Sequence, residues 1–130
     1  MTKRMFLAIC LTLAVSTSSF ADFYKNDYDS AVKDSLKTGK TLVVLVSASW
    51  CGPCNQLKKE IAKSYELGQL PKDVNIAIVD YDSKVGKKIS VSGSIPQLIR
   101  YEKRDGKWYK NFSIGYLSQS KFKDFCNGKK

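Results

Sequence analysis

Thr41 to Ser47 reads Thr-Leu-Val-Val-Leu-Val-Ser, an apolar and β-branched run without polar alternation. Such a run predicts a central strand covered on both faces, because a strand with one wet face alternates apolar and polar residues. Before it, Tyr28, Ala31, Val32 and Leu36 recur at helical spacing. Asn26 or Asp27 can cap that helix and Gly39 can stop it, which predicts a helix over Asp27 to Thr38. After Pro53, the residues Leu57, Ile61, Ala62 and Tyr65 mark the apolar face of a second helix, with lysines opposite and Gly68 and Pro71 past its end.

Val74 to Asp80 predicts a further strand, and Ser83 to Ser90 a short helix containing Gly86, a weak helix former. Gln97 to Glu102 and Trp108 to Gly115 read as strands joined through the turn pair Asp105-Gly106, so they should lie antiparallel. Ser118 is placed to cap a last helix, with Leu117 before it and Phe122 at the fourth helical position as a hydrophobic staple. Phe125 carries that apolar face towards Cys126. The order helix, strand, helix, strand, short helix, strand, strand, helix implies an α/β fold, a mixed sheet of four to five strands with helices on both faces. No internal repeat, linker or second domain interrupts the pattern.

Residues 1–21 follow another rule. Lys3 and Arg4 precede an apolar run of eleven residues from Met5 to Val15, then the small and polar Ser16 to Ser19, then Phe20 and Ala21. This is the three-part form of a secretory signal peptide, with Ser19 and Ala21 at the small positions read by signal peptidase. Cleavage between Ala21 and Asp22 is expected, leaving residues 22–130 as one domain in a secreted or periplasmic, oxidising space. A membrane anchor, the rival reading, needs about 20 apolar residues, more than this run supplies. In Leu7-Ala8-Ile9-Cys10 a bulky Ile9 stands where a lipoprotein signal needs a small residue, so Cys10 should leave with the signal. No second segment of spanning length follows, and no membrane insertion of the cleaved chain is expected.

Lys and Arg number 22 against 12 Asp and Glu, a formal charge of +10 that falls to +8 when Lys3 and Arg4 are removed. The lysines are scattered, which reads as a solvated surface, and no nucleic-acid partner is expected. There is no histidine. That excludes Ser/His/Asp and Cys/His catalysis, imidazole metal sites and a histidine switch within this chain. Chemistry must come from cysteine, carboxylate, lysine or tyrosine.

Trp50-Cys51-Gly52-Pro53-Cys54 sits where the buried strand gives way to a helix. Unpaired N–H groups and the positive end of the helix dipole stabilise a Cys51 thiolate, which is the attacking form. Pro53 is tolerated in the first turn, where its missing N–H has no intrahelical partner, and it stiffens the spacer that holds Cys54 within reach. The expected cycle is attack by Cys51 on a disulfide, forming a mixed disulfide, and then attack by Cys54 to resolve it; reversed, the pair oxidises dithiols. Two rival readings stand beside it. A purely structural bridge would close a very short loop and constrain the unfolded chain little. Zinc would find at most three thiolates, counting Cys126, and no imidazole.

The five-residue motif resembles the active site of the thioredoxin family, and the resemblance runs through nearly all of residues 22–130. Ser94-Ile95-Pro96-Gln97-Leu98-Ile99 is similar to the family's second active-site loop, and Gly115 followed by Leu117 and Ser118 to its entry into the last helix. The resemblance implies a thioredoxin fold and a thiol-disulfide oxidoreductase with Cys51 and Cys54 catalytic and Trp50, Gly52 and Pro53 in support. It also implies a cis peptide before Pro96, with the Ile95 backbone pairing to an extended substrate segment. No bound cofactor or metal is implied, because the electrons reside in the cysteine pair.

Partners would be protein thiols and disulfides plus a redox protein, a membrane-embedded donor for a reductase or a quinone-linked reoxidant for an oxidant, with the chain itself a monomer. The competing class is a non-catalytic peptide-binding module of the same fold, its Cys51–Cys54 bridge structural. Two positions depart from the family. Leu45 stands where thioredoxins carry a buried aspartate that moves protons for the second cysteine; water, Lys58 or a carboxylate such as Asp80 are the candidate replacements, and the departure leaves open a slower cycle or work as an oxidant or isomerase that forms or exchanges disulfides. Val91-Ser92-Gly93-Ser94, ahead of Pro96, is one residue longer than in thioredoxin. Cys126 is the odd cysteine of the cleaved chain, either a small buried hydrophobe or a site for pairing with a second molecule.

Overall fold

The computed structural model describes residues 22–25 and 27–129. The signal segment and Cys10 lie outside the described residues. Nine elements follow in order: β1 (Asp22–Lys25), α1 (Tyr28–Thr38), β2 (Thr41–Ser47), α2 (Gly52–Glu66), β3 (Val74–Asp80), α3 (Lys84–Ile89), β4 (Gln97–Arg104), β5 (Lys107–Ile114) and α4 (Gln119–Cys126). They form a mixed five-stranded sheet in the order β1-β3-β2-β4-β5. β3 runs parallel to β1 and β2, while β4 is antiparallel to β2 and β5.

The unbroken apolar runs of β2 and β3 follow from cover on both faces. Val43, Leu45, Ile76, Ile78 and Leu98 pack with Leu57 and Ile61 of α2 and Phe122 and Cys126 of α4. Their sequence neighbours Leu42, Val44, Val46, Ala77, Val79 and Ile99 pack on the other face with Ala31 and Val32 of α1 and Val85 and Ile89 of α3. Strand side chains alternate between faces, so two apolar faces make one continuous apolar run.

β1 was not among the expected strands. Only Phe23 and Tyr24 carry an apolar signal there, too short a run to separate from a loop, yet Phe23 joins the α2/α4 side and Tyr24 the α1/α3 side. Two helix faces also differ from expectation. Leu36 is 63% exposed, and Ser35 is buried in its stead. The reason is Asn75 on β3, fully buried, whose side-chain amide donates to Ser35 Oγ at 2.9 Å and to Asp34 Oδ2 at 2.8 Å. In α2 the buried position is Ser64, which accepts from Gln119 Nε2 at 2.7 Å, while Tyr65 is largely exposed and packs its ring on Phe23.

Asp27 and Ser118 cap their helices as expected, and Ser83 proves to be a third cap. Asp27, Ser83 and Ser118 accept from the N–H three residues on in α1, α3 and α4. Asp105 and Gly106 both take positive φ, 52° and 79°, as a two-residue hairpin turn between antiparallel strands requires. Gly86 is a helix residue by necessity: a Cβ there would lie 1.9 Å from the Asp80 carbonyl oxygen.

This predicts a reversal of sign. Gly to Ala in a helix interior ordinarily stabilises by about 1 kcal/mol. Gly86→Ala should instead destabilise the domain by roughly 2 kcal/mol through the backbone clash, read as a lower urea midpoint of the oxidised protein.

Candidate active site

β2 ends at Ser47 in the middle of the sheet, and the chain turns through Ser49 and Trp50 into α2. The turn is tied by the Cys51 N–H to the Ala48 carbonyl at 3.1 Å and by Asn55 Nδ2 to the Ser49 carbonyl at 3.0 Å. Cys51 is itself the N-cap of α2, and its sulfur accepts from the Cys54 N–H at 3.2 Å. Gly52 and Pro53 occupy the first two helical positions, where Pro removes an N–H that no helical carbonyl could accept. One turn of helix brings the cysteine Cα atoms to 5.2 Å, and Cys51 and Cys54 form a disulfide.

The two sulfurs sit in different surroundings. Cys54 is fully buried, and Cys51, 5% exposed, lies at a rim formed by exposed Trp50, Gly52 and Pro53. Trp50 is 68% exposed, its indole N–H reaching Asp82 Oδ2 at 3.5 Å. Ala48, Cys51 and Cys54 form a small buried cluster of their own, and Ile95 packs against it. The Ile95–Pro96 peptide is cis. Pro96 is buried, and its carbonyl accepts from the Gly115 N–H at 2.8 Å. All seven residues singled out in the sequence as site or support therefore fall in one region, where two loops meet at the end of β2.

Gln97 holds the second loop in place, a role the sequence did not expose. Its side chain is fully buried; Oε1 accepts from the Val91 N–H at 2.9 Å and Nε2 donates to the Ser92 carbonyl at 2.6 Å. The signal was a polar residue opening an otherwise apolar buried strand. Such a residue is retained only when both ends of its amide are satisfied.

The positions proposed for proton transfer, Lys58 and Asp80, make no hydrogen bond to the sulfurs among the described residues, and Asp80 accepts from the Asp82 N–H at 3.0 Å. Leu45 is fully buried among Leu57, Ile78 and Leu98. Cys126 lies in the α2/α4 core and the Cys51–Cys54 pair in its separate cluster, so the three thiols do not form one set. No group of three or more Cys, Asp and Glu among the described residues is arranged to hold a metal ion. A groove of about 480 Å³ between β5 and α4, lined in part by Arg100, Phe112 and Phe125, does not include the cysteines.

The profile of the thioredoxin family matches residues 19–127. The chain belongs to the thioredoxin family. It is 33% identical over 95 residues to the thioredoxin of Buchnera aphidicola subsp. Baizongia pistaciae, covering 71% of this chain and 81% of that protein. A shorter stretch of 44 residues is 41% identical to thioredoxin H4-2 of Oryza sativa subsp. japonica, spanning 32% of this chain and 33% of the rice protein. The Plasmodium falciparum thioredoxin structure superposes with a TM-score of 0.65 at 16% identity, over 85% of this chain and 89% of that one, a likeness of fold. The fold is therefore the thioredoxin fold, and the closely placed Cys51–Cys54 pair makes the chain a thiol-disulfide oxidoreductase of that family.

The third cysteine is built to stay out of that chemistry. Cys126 is free and 3% exposed. Burial pushes its thiol up to about 12, against a smaller opposing pull from the Arg100 guanidinium. Thiolate is the reactive form, so iodoacetamide at pH 8 should leave Cys126 unmodified in the folded, oxidised protein and alkylate it in guanidinium chloride, as read by intact mass.

Proposed function

We propose that this chain is an extracytoplasmic thioredoxin-like reductase of protein disulfides, with Cys51 as nucleophile and Cys54 as resolving cysteine. The observation that carries the reading is the asymmetry of the pair: Cys51 caps α2 at an exposed rim while Cys54 is sealed behind it. In the reduced enzyme the Cys54 N–H and the α2 terminus stabilise a Cys51 thiolate. That thiolate attacks one sulfur of a substrate disulfide; the substrate S–S bond breaks, and the departing sulfur leaves as a thiolate and takes up a proton. Cys54 then loses its proton and attacks the Cys51 sulfur, releasing the second substrate thiol and closing the Cys51–Cys54 disulfide. The substrate gains two electrons and two protons, and the cysteine pair loses them.

Ile95 and Pro96 form the substrate-facing loop in this reading, with the Ile95 backbone available to an extended chain. Trp50, Gly52 and Pro53 form the apolar rim around Cys51. No bound cofactor takes part; a separate redox protein, membrane-embedded if the donor lies across a bilayer, returns the electrons. The location rests on the signal-like residues 1–21.

A single variant tests the chemistry and the location together. Cys54→Ser, expressed with residues 1–21, should accumulate outside the cytoplasm as mixed disulfides through Cys51 whose N-terminal residue is Asp22. Non-reducing gels free of such adducts would count against catalysis, and an uncleaved cytoplasmic product against export.

The direction of electron flow follows from what stabilises the thiolate. A strong periplasmic oxidant, near about −120 mV, owes its potential to a stabilised reduced form, and thioredoxin lies near about −270 mV. Here Gly52 and Pro53 add no charge and there is no histidine, leaving one N–H and the helix terminus. Equilibration with glutathione should therefore place the Cys51–Cys54 couple nearer the thioredoxin figure, and a value near the oxidant's would reverse the direction.

A further inference from the structure

Among the described residues nine large hydrophobic side chains are exposed, and five of them, Trp108, Tyr109, Phe112, Ile114 and Tyr116, fall on β5 and the two residues beyond it. Among the described residues β5 is the outermost strand, paired with β4 alone. The two-residue turn makes Arg104 and Lys107 a hydrogen-bonded pair, so alternate residues from Lys107 onwards point their N–H and C=O groups at β4. The Gly115 N–H donating to the Pro96 carbonyl keeps the same parity. Trp108, Lys110, Phe112 and Ile114 consequently turn their backbone groups outwards, an unpaired strand edge carrying aromatic side chains. An exposed edge of this kind is a ready template for another strand.

Two observations say what occupies it. The edge is continuous with the cysteine site: Ile114 lies opposite Gln97, and Gly115 is bonded to Pro96, whose partner in the cis peptide, Ile95, packs on the Cys51–Cys54 cluster. The edge is also basic. Lys103, Lys107 and Lys110 stand exposed on the hairpin; of its two carboxylates, Asp105 lies exposed in the turn, and Glu102 is engaged by Arg100 at 2.8 Å and approached by Arg104 at 3.6 Å. Lysines on an edge oppose pairing with a second copy of the same positive chain and attract acidic residues.

We propose that the outer edge of β5 is a docking track for an extended, acidic segment of the disulfide-bearing protein substrate, which adds as a sixth strand. The proposal rests on the reductase reading above and deepens it by naming the substrate class. A polypeptide whose disulfide engages Cys51 passes Ile95 and Pro96 and continues down β5. Its backbone bonds to the outward groups of Trp108, Lys110, Phe112 and Ile114, and its carboxylates lie beside the hairpin lysines. Backbone pairing supplies affinity without side-chain demands, and the lysines supply the preference.

The test uses peptides that each carry one cysteine as a mixed disulfide with glutathione. One has arms of Thr-Glu repeats long enough to span β5, one has Thr-Lys arms, and one has no arms. The reduced protein, purified after expression of the full chain, converts each to free peptide thiol and glutathione as Cys51 and Cys54 oxidise. The acidic arms should raise the second-order rate constant for single-turnover oxidation of the reduced protein over that with the armless peptide by about tenfold, the sum of several cross-strand contacts, and the gain should shrink with salt. Lys107→Glu/Lys110→Glu should abolish that gain and favour the Thr-Lys arms, with armless turnover unchanged. Phe112→Pro, which removes an outward N–H that β4 does not use, should also abolish it. Equal turnover of all three peptides by the unmodified protein would overturn the proposal and leave the reductase reading intact, whereas absence of turnover even of the armless peptide would overturn both. A dimer in sedimentation that Phe112→Pro dissociates would assign the edge to a second copy and overturn the proposal.

Discussion

Burial of β2 on both faces is the constraint from which the site follows. Leu42 to Val46 are all packed between two layers of helix, so no side chain along the strand can meet a substrate. Reactive groups can stand only where the chain leaves the sheet. At that end an extended backbone must become a helix, and the first turn of any helix leaves N–H groups without helical acceptors. Cys51 meets that need with a sulfur, taking the Cys54 N–H at 3.2 Å. In the proposed cycle the bond that satisfies the helix terminus is therefore also the bond that favours a thiolate at Cys51 once the pair is reduced.

The second loop is positioned by a different device. Residues 91–96 have no regular structure, and nothing in their own backbone would place Ile95 against the cysteines. Gln97 does so from below, its buried amide accepting from Val91 and donating to Ser92 while its backbone opens β4 opposite Val46 of β2. The loop is thereby referred to the same central strand that sets Cys51. Two segments more than forty residues apart in sequence share one rigid reference, and this is how a site built on loops acquires a defined geometry.

What the sequence made legible was what period and caps encode. The buried strands, the helices, the hairpin turn and the cysteine motif are all local patterns, and each stands within a residue or two of its expected place. Leu36 was misplaced because periodicity ranks residues by apolarity alone, and it could not know that Asn75, two strands of sequence away, would need Ser35 as a partner. Gly86 read as a weakness for the same reason: the Asp80 carbonyl that excludes a side chain there comes from another element. β1 escaped because four residues, two of them charged, carry too little signal. In the site, the two cysteines and the proline were visible from the chain, whereas the Gln97 clamp exists only once Val91 and Ser92 are folded back over β4.

Leu45 marks where this site parts from the family pattern that it otherwise resembles. A carboxylate at that position would sit fully buried between β3 and β4, where its charge would require a compensating partner. Leucine there joins Leu57, Ile78 and Leu98 in the core on the α2/α4 side, while the cysteine pair packs in a separate cluster with Ala48. Ala48 and Ile95, which pack with the cysteine pair, carry no ionisable group. In the proposed cycle these packed neighbours fix where the Cys54 sulfur stands, and the proton it gives up passes to a group outside that cluster.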